Sequence, residues 1–461
     1  NVCVGLAASK GNAPFAGAGS IALNWIHGTA DAHIAGATSV TAKGPVKVTA
    51  SDTSEIDVGA CGIAINQGGK AGIGAAIAYN YIGGYRDNAT ATTVNSAKAY
   101  ISDSSVTSQT GSIEVLAKGA QKTIAVAVGG ASSDKFALGG SVAVNYSKAV
   151  NEAAIKVTAA NKSTTVSAGG AVTVSALDDM DVDVGAGGLA RAAQGAAVGV
   201  AVTVNDLRNS TSALVDAGGG TLNVSNGDLT VLANSDSRVI NVALGLALSS
   251  SGSFAGSGSI ALNWLHNTVD ARVANIATGT IAGALTVTAT DTSEIDVGAG
   301  AIASAGNGAA IGAAVAYNYI GGNRDNNQST EVNAVSAVIA DANLAVNGGS
   351  VTLGASSSQK IVAVAVGGSN GNNFALGGSV AMNFTRARTR AEIVDDPAVA
   401  TQTSVTASGG ISISTTTDQE IDTGAGAVRA MQVCVLTCAP RFDAPRASQS
   451  RSSHENSRIE R

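Results

Sequence analysis

FALGGSVAVN, residues 136–145, is the stretch that decides the fold. Small and apolar residues alternate along it with period two, and it ends on a polar Asn. That alternation, rich in Val, marks a strand. The stretch returns as FALGGSVAMN at 374–383. Looser copies are FAGAGSIALN (15–24), GIGAAIAYN (72–80), GAAVGVAVTVN (195–205), FAGSGSIALN (254–263) and AAIGAAVAYN (309–318). The closing residues are Asn24, Asn80, Asn145, Asn205, Asn263, Asn318 and Asn383, spaced by 56, 65, 60, 58, 55 and 65 residues. A near-fixed period of this size signals an array in which each unit buries its apolar face against its neighbours. A longer repeat contains the short one: residues 1–190 reappear as 241–428, with SEIDVGA at Ser54 returning at Ser293.

The rest of the chain agrees with strands. VKVTASD, LTVTATD and VTVSALD alternate in the same way, and Gly, Asn, Asp and Ser punctuate them. The fold expected is all-β, a right-handed parallel β-helix (β-solenoid) of about seven ~60-residue repeats. A propeller is the main rival. With about 20 residues per turn, each unit would make three turns, and residues 1–428 would form a rod of roughly 100 Å. In such a stack the recurring Asn side chains would lie over one another and hydrogen-bond along the axis.

A second column emerges when the units are aligned on the strand before each Gly/Ala run. It reads Glu55, Lys122, Asp181, Arg238, Glu294, Lys360 and Glu420, and its sign alternates throughout. Strict alternation points to duplication of a two-unit block. At three turns per unit these charges would stand roughly 14 Å apart, beyond a Debye length of about 8 Å, so direct ion pairs are not expected. The column is expected to keep one face near neutral and to limit lateral self-association.

Composition narrows the function classes. Apolar residues make up 45%, mostly Ala and Val, whereas aromatics are 3% and charged residues 13%. That charged share is about half the usual ~25%. The net charge of −6, with no basic face in the repeats, argues against a nucleic-acid partner. Residues 429–461 differ: six Arg and three acidic residues make this segment basic. The repeat array therefore spans 1–428, and the tail 429–461 is expected to be disordered. The array begins in mid-repeat, so the chain reads as a fragment. Cys3 and Cys61 do not recur at Ala243 and Gly300, so no disulfide framework is built in.

Catalytic and metal signatures are weak. Gly69-Lys70 lacks the Ser or Thr of a phosphate loop, and HExxH and paired CxxC are absent. His27 recurs as His266, but His33 becomes Arg272. Cys434, Cys438 and His454 have poor ligand spacing. Asp178, Asp179, Asp181 and Asp183 offer oxygens to Ca²⁺, but the expected role is a solvated strand edge. Arg86-Asp87 and Arg324-Asp325, beside Gly-Gly and Asn, read as turn residues. No catalytic residue, cofactor or metal ligand set is expected.

FAGAGSIALNW and FALGGSVAVNY, alternating with VTVTATDTSEIDVGAGAIA, resemble the β-strand-repeat passenger regions of large bacterial surface exoproteins. The chain is similar in particular to the leukotoxin-like filamentous adhesins. That resemblance, over residues 1–428, implies type V export, a parallel β-helical stalk and a non-enzymatic role in attachment at the bacterial cell surface. It also implies a host-cell, matrix or neighbouring-cell receptor as partner, and an outer-membrane translocator that this chain does not contain. Lateral self-association is a further partner class. Two alternatives are a leukotoxin-like cytotoxin acting on host membranes and a carbohydrate-active β-helix protein.

Overall fold

The computed structural model describes residues 1–83, 94–322, 332–395 and 401–429. Among these the secondary structure is strand, turn and bend, with no helix. The strands form two sheets in which every pairing is parallel. Sheet one runs through Val2–Lys10, Glu55–Gln67, Ile113–Ser133, Val172–Ala192, Leu229–Ser249, Leu285–Ala305, Val351–Gly371 and Ile411–Arg429. Sheet two takes the intervening segments, from Phe15–Ile26 through Ala71–Ile82, Phe136–Ser147, Ala196–Val224, Phe254–Ile281 and Ala309–Ile320 to Phe374–Thr385. The chain crosses from one sheet to the other and back, adding one strand to each growing ladder. This parallel, solenoid-like order excludes the propeller, whose small sheets surround a channel.

The turn length differs from the expectation. Asn24 pairs with Asn80, Asn80 with Asn145, and Asn145 with Asn205 as direct neighbours in the ladder. One ~60-residue unit is thus one coil, not three. At about 4.8 Å per coil, seven coils stack to only about 30 Å, a third of the length expected above. The extra residues widen the coil. Sheet one uses unbroken 21-residue strands such as Ile113–Ser133 and Val172–Ala192. Sheet two spans up to 29 residues in Ala196–Val224. Elsewhere sheet two bends at a corner where Gly36, Asp103, Asn275 and Asp341 have φ of 65°, 49°, 50° and 52°. Gly, Asn and Asp are the residues that accept this left-handed region at least cost.

The two sheets face each other across a tapering core. At one end, Val, Ile and Leu fill the space, among them Ile113, Val115, Leu222, Leu229, Ile276 and Leu285. The middle mixes Ile and Val from sheet one with Ala from sheet two, as in Ile295 and Val182 against Ala201 and Ala261. Near the crossover from sheet one to sheet two the core is alanine alone, including Ala131, Ala137, Ala190 and Ala197. Between the middle and alanine layers the sheets come close enough to need glycine. A Cβ on Gly129 would lie 1.8 Å from the Gly140 carbonyl oxygen, and one on Gly139 would lie 1.9 Å from that of Leu189. The low aromatic content follows from this geometry, because the interior has little room for rings.

Candidate functional surfaces

The seven ladder Asn residues are brought into a single chain of hydrogen bonds. Each Nδ2 donates to the Oδ1 of the next coil: Asn24 to Asn80 at 2.8 Å, Asn80 to Asn145 at 2.7 Å and Asn145 to Asn205 at 2.8 Å. The run continues from Asn205 to Asn263 at 2.7 Å, Asn263 to Asn318 at 2.6 Å and Asn318 to Asn383 at 2.7 Å. Three residues on the sheet-one side join it across the core, the last of them Thr423, whose Oγ1 accepts from Asn383 Nδ2 at 2.7 Å. Asn241 Nδ2 donates to Asn263 Oδ1 at 2.7 Å, and Asn1 Nδ2 to Asn24 Oδ1 at 2.9 Å. The signal for these two was present in the sequence: Asn1 and Asn241 occupy the same place in the long repeat.

An unpaired buried amide is costly, so the ladder is tight only while every rung is present. Asn145→Leu, equal in branching and heavy-atom count, would strand Asn80 Nδ2 and Asn205 Oδ1 together. At ~1–3 kcal/mol for each of the two buried unsatisfied groups, the loss expected is about 2–6 kcal/mol, read from the urea unfolding midpoint. A change under ~0.5 kcal/mol would mean that the ladder contributes no net stability.

The charge column corrects the spacing expected above. Its members are adjacent rungs: Glu55 against Lys122, Lys122 against Asp181, Asp181 against Arg238, Arg238 against Glu294, Glu294 against Lys360, and Lys360 against Glu420. Direct contacts form as a result. Lys122 Nζ lies 3.6 Å from Glu55 Oε1, and Lys360 Nζ lies 3.0 Å from Glu294 Oε1. Arg238 reaches Glu294 and Asp296, each at 3.8 Å. The hydrogen bond to Glu294 raises the Lys360 ammonium above its ordinary value. Burial pushes the Asp296 carboxyl up, with Glu294 adding to it. These pairs are partly exposed, so they tune register more than they add stability.

The acidic cluster is divided by strand alternation. Asp179, Asp181 and Asp183 face outward, while Asp178 is fully inside. A solvated edge is therefore the wrong description of Asp178. Asn151 Nδ2 donates to its Oδ1 at 2.7 Å, Asn209 Nδ2 to its Oδ2 at 3.0 Å and Ser235 Oγ to Oδ2 at 3.4 Å. Two coils along, Asp291 repeats the arrangement. Asn267 donates to Oδ1 at 2.8 Å and Asn333 to Oδ2 at 3.0 Å, with Ser293 Oγ 3.1 Å from Oδ2. A third copy, Asp52, receives Ser54 at 2.8 Å and Gln121 at 3.1 Å, and also Asn95. Burial, the largest cause, pushes Asp178 up to about 7 and Asp291 up to about 6, against the opposing effect of their amide donors. The amide oxygens Asn151 Oδ1 and Asn267 Oδ1 are buried without a hydrogen-bond partner. Turning either amide over would set that oxygen against the carboxyl, where it could accept the proton of the neutral acid.

The outer face of sheet two carries rings. Tyr79, Tyr81 and Tyr146 cluster with centroids 5.1–6.2 Å apart, and Tyr317 lies 5.5 Å from Trp264 and 5.7 Å from Phe384. His27 is exposed; His33 stacks on Tyr100 at 4.8 Å and contacts Asp31 at 2.9 Å. Among the described residues no three His, Cys, Asp or Glu side chains converge on a metal position. Cys3 and Cys61 are free thiols. Arg86, Asp87, Arg324, Asp325, Cys434, Cys438, His454 and the rest of the tail beyond Arg429 lie outside the described residues. No described helix is long and apolar enough to cross a membrane. Comparison with protein-family models, curated proteins and solved structures finds no match to this chain.

Proposed function

We propose that the chain is a non-enzymatic stalk segment of a bacterial surface adhesin, wound as right-handed coils and displayed outside the cell. The observation that carries this reading is the in-register Asn ladder: seven coils repeat one backbone geometry and present similar side chains at each level. Parallel crossovers are right-handed in about 98% of cases, which favours that winding. A surface that repeats every ~4.8 Å suits attachment by many weak contacts acting together. The resemblance of residues 1–428 to filamentous adhesin passenger regions points the same way.

The test is binding of the purified chain to host cells and to matrix-coated surfaces, with a series shortened by two coils at a time. Retention is expected to fall more steeply than in proportion to coil number. Retention indistinguishable from that of an inert protein would overturn the proposal. Dye release from liposomes would favour the cytotoxin reading, and release of reducing sugar would favour the carbohydrate-active one.

A further inference from the structure

The outer face of sheet one has a pattern that the stalk reading does not use. Four residues beyond each charge, the acidic coils carry Gly59, Gly185 and Gly298, and the basic coils carry Val126, Val242 and Val364. At this position bulk and sign alternate in the same phase, with knobs on the basic coils and dimples on the acidic ones; four residues further the phase reverses, and the acidic coils carry Ile63, Leu189 and Ile302 beside Gly130 and Gly368 of the basic coils. The knobs are half-exposed, at 45%, 39% and 47% for the three valines. Above Gly185 and Gly298 a Cβ would meet nothing within 4 Å, so the dimples are not filled by the chain itself. The face is mixed: between the charges and the knobs, the acidic coils carry Asp57, Asp183, Asp296 and Asp422 where the basic coils carry Ile124, Ile240 and Val362.

We propose that this face docks a second copy of the chain, face to face, about a two-fold axis lying parallel to the strands. Such an axis keeps strand direction and inverts coil order. Each column then meets its own counterpart in the partner. With the coils offset by an odd number, every basic coil lies over an acidic one, and every valine lies over a glycine. With an even offset, like charges meet and valines collide. Charge and shape therefore select the same set of registers, although either could have been out of phase with the other. Size is adequate as well. Six overlapping coils at about 4.8 Å, with about ten residues of each strand at about 3.3 Å, give a face near 900 Å². A standard interface needs about 800 Å² per partner. The alternation then fixes the register of self-association instead of limiting it.

The experiment is sedimentation of the chain and three variants over a concentration series, with circular dichroism to confirm strand content. The wild-type chain is expected to dimerise. Val126→Asp, Val242→Asp and Val364→Asp together place carboxylates on the knobs and are expected to weaken dimerisation at least about 100-fold, two knob contacts at ~1.4 kcal/mol each being enough. Lys122→Glu, Arg238→Glu and Lys360→Glu make the column wholly acidic and should abolish self-pairing. Mixing that variant with the reciprocal Glu55→Lys, Asp181→Lys, Glu294→Lys and Glu420→Lys variant should restore a one-to-one complex, with either variant alone monomeric. A wild-type chain that stays monomeric at about 100 μM would overturn the proposal. So would a dimer that the knob variants leave unchanged, or a folded acidic variant that pairs with itself as tightly as the wild type. The salt dependence of the mixed complex separates pairing through the column from non-specific apolar association.

Discussion

Gly139→Ala is expected to destabilise the array severely, whereas Gly140→Ala, one residue along the same strand, is expected to be nearly neutral. Both glycines lie in the FALGGS stretch and in the same ladder, paired with Ala71–Ile82 on one side and Ala196–Val224 on the other. They differ in the direction a side chain would take. A Cβ on Gly139 points inward and would lie 1.9 Å from the Leu189 carbonyl oxygen of sheet one. That oxygen belongs to a strand paired on both sides, with Gly130 and with Leu246, so it cannot retreat without opening sheet one. A Cβ on Gly140 points outward and meets nothing within 4 Å. Overpacking a rigid core costs 1–3 kcal/mol and sometimes more. Because the obstacle here is backbone, a loss on the order of 3 kcal/mol or more is expected for Gly139→Ala. Gly140→Ala should fall within ~1 kcal/mol of wild type and can be stabilising, because Gly weakens a strand interior. Urea unfolding of the two variants checks this; equal midpoints would show that the sheets do not meet at Gly139.

Lowering the pH from 8 to 5 is expected to raise the thermal midpoint, opposite to the usual behaviour of carboxylates held by cations. Burial pushes Asp178 up to about 7 and Asp291 up to about 6, whereas both titrate near ~4 in the unfolded chain. Between these values the folded protein holds protons that the unfolded chain has released. Stability therefore falls as pH rises through that interval. The contribution is fully present below ~4 and is lost as pH climbs through about 6 for Asp291 and about 7 for Asp178. For two fully buried groups the combined effect is on the order of a few kcal/mol. Asp178→Asn should raise the midpoint at pH 8 and flatten the upper part of the profile. Its new amide can donate to Asn151 Oδ1, the buried oxygen without a partner, once the Asn151 amide turns over. A thermal midpoint that falls steadily from pH 8 to pH 5, or an Asp178→Asn variant less stable than wild type at pH 8, would refute this account.

Much of this architecture was legible in the sequence, and the misses have specific causes. The strand content and the Asn ladder follow from period-two alternation and an invariant terminal Asn. The sign alternation was visible too. The coil length was missed because ordinary strands run about 5–6 residues, so a 21-residue strand is not the default reading. The clue lay in Val172–Ala192, where one alternation runs unbroken through the whole stretch. The hydrogen-bonded Asn column carried the same message, since amides can join in a ladder only when successive copies are one strand apart. Asp178 was missed because three carboxylates nearby suggested solvent. Its parity identified it: Asp178 shares the inward phase of Val174, Ala176, Met180 and Val182. The corrugated face of sheet one needed the register first, because Val126 and Gly185 are 59 positions apart and become neighbours only once the coils are stacked.

The alternation of basic and acidic coils also constrains how such an array changes length in evolution. Removing one coil from the middle would set Glu55 beside Asp181 and Gly59 beside Gly185, or Lys122 beside Arg238 and Val126 beside Val242. Removing two restores both patterns at the junction. Lineages carrying this design should therefore gain or lose copies in pairs, and a population of length variants should be dominated by steps of about 120 residues, twice the ~60-residue unit.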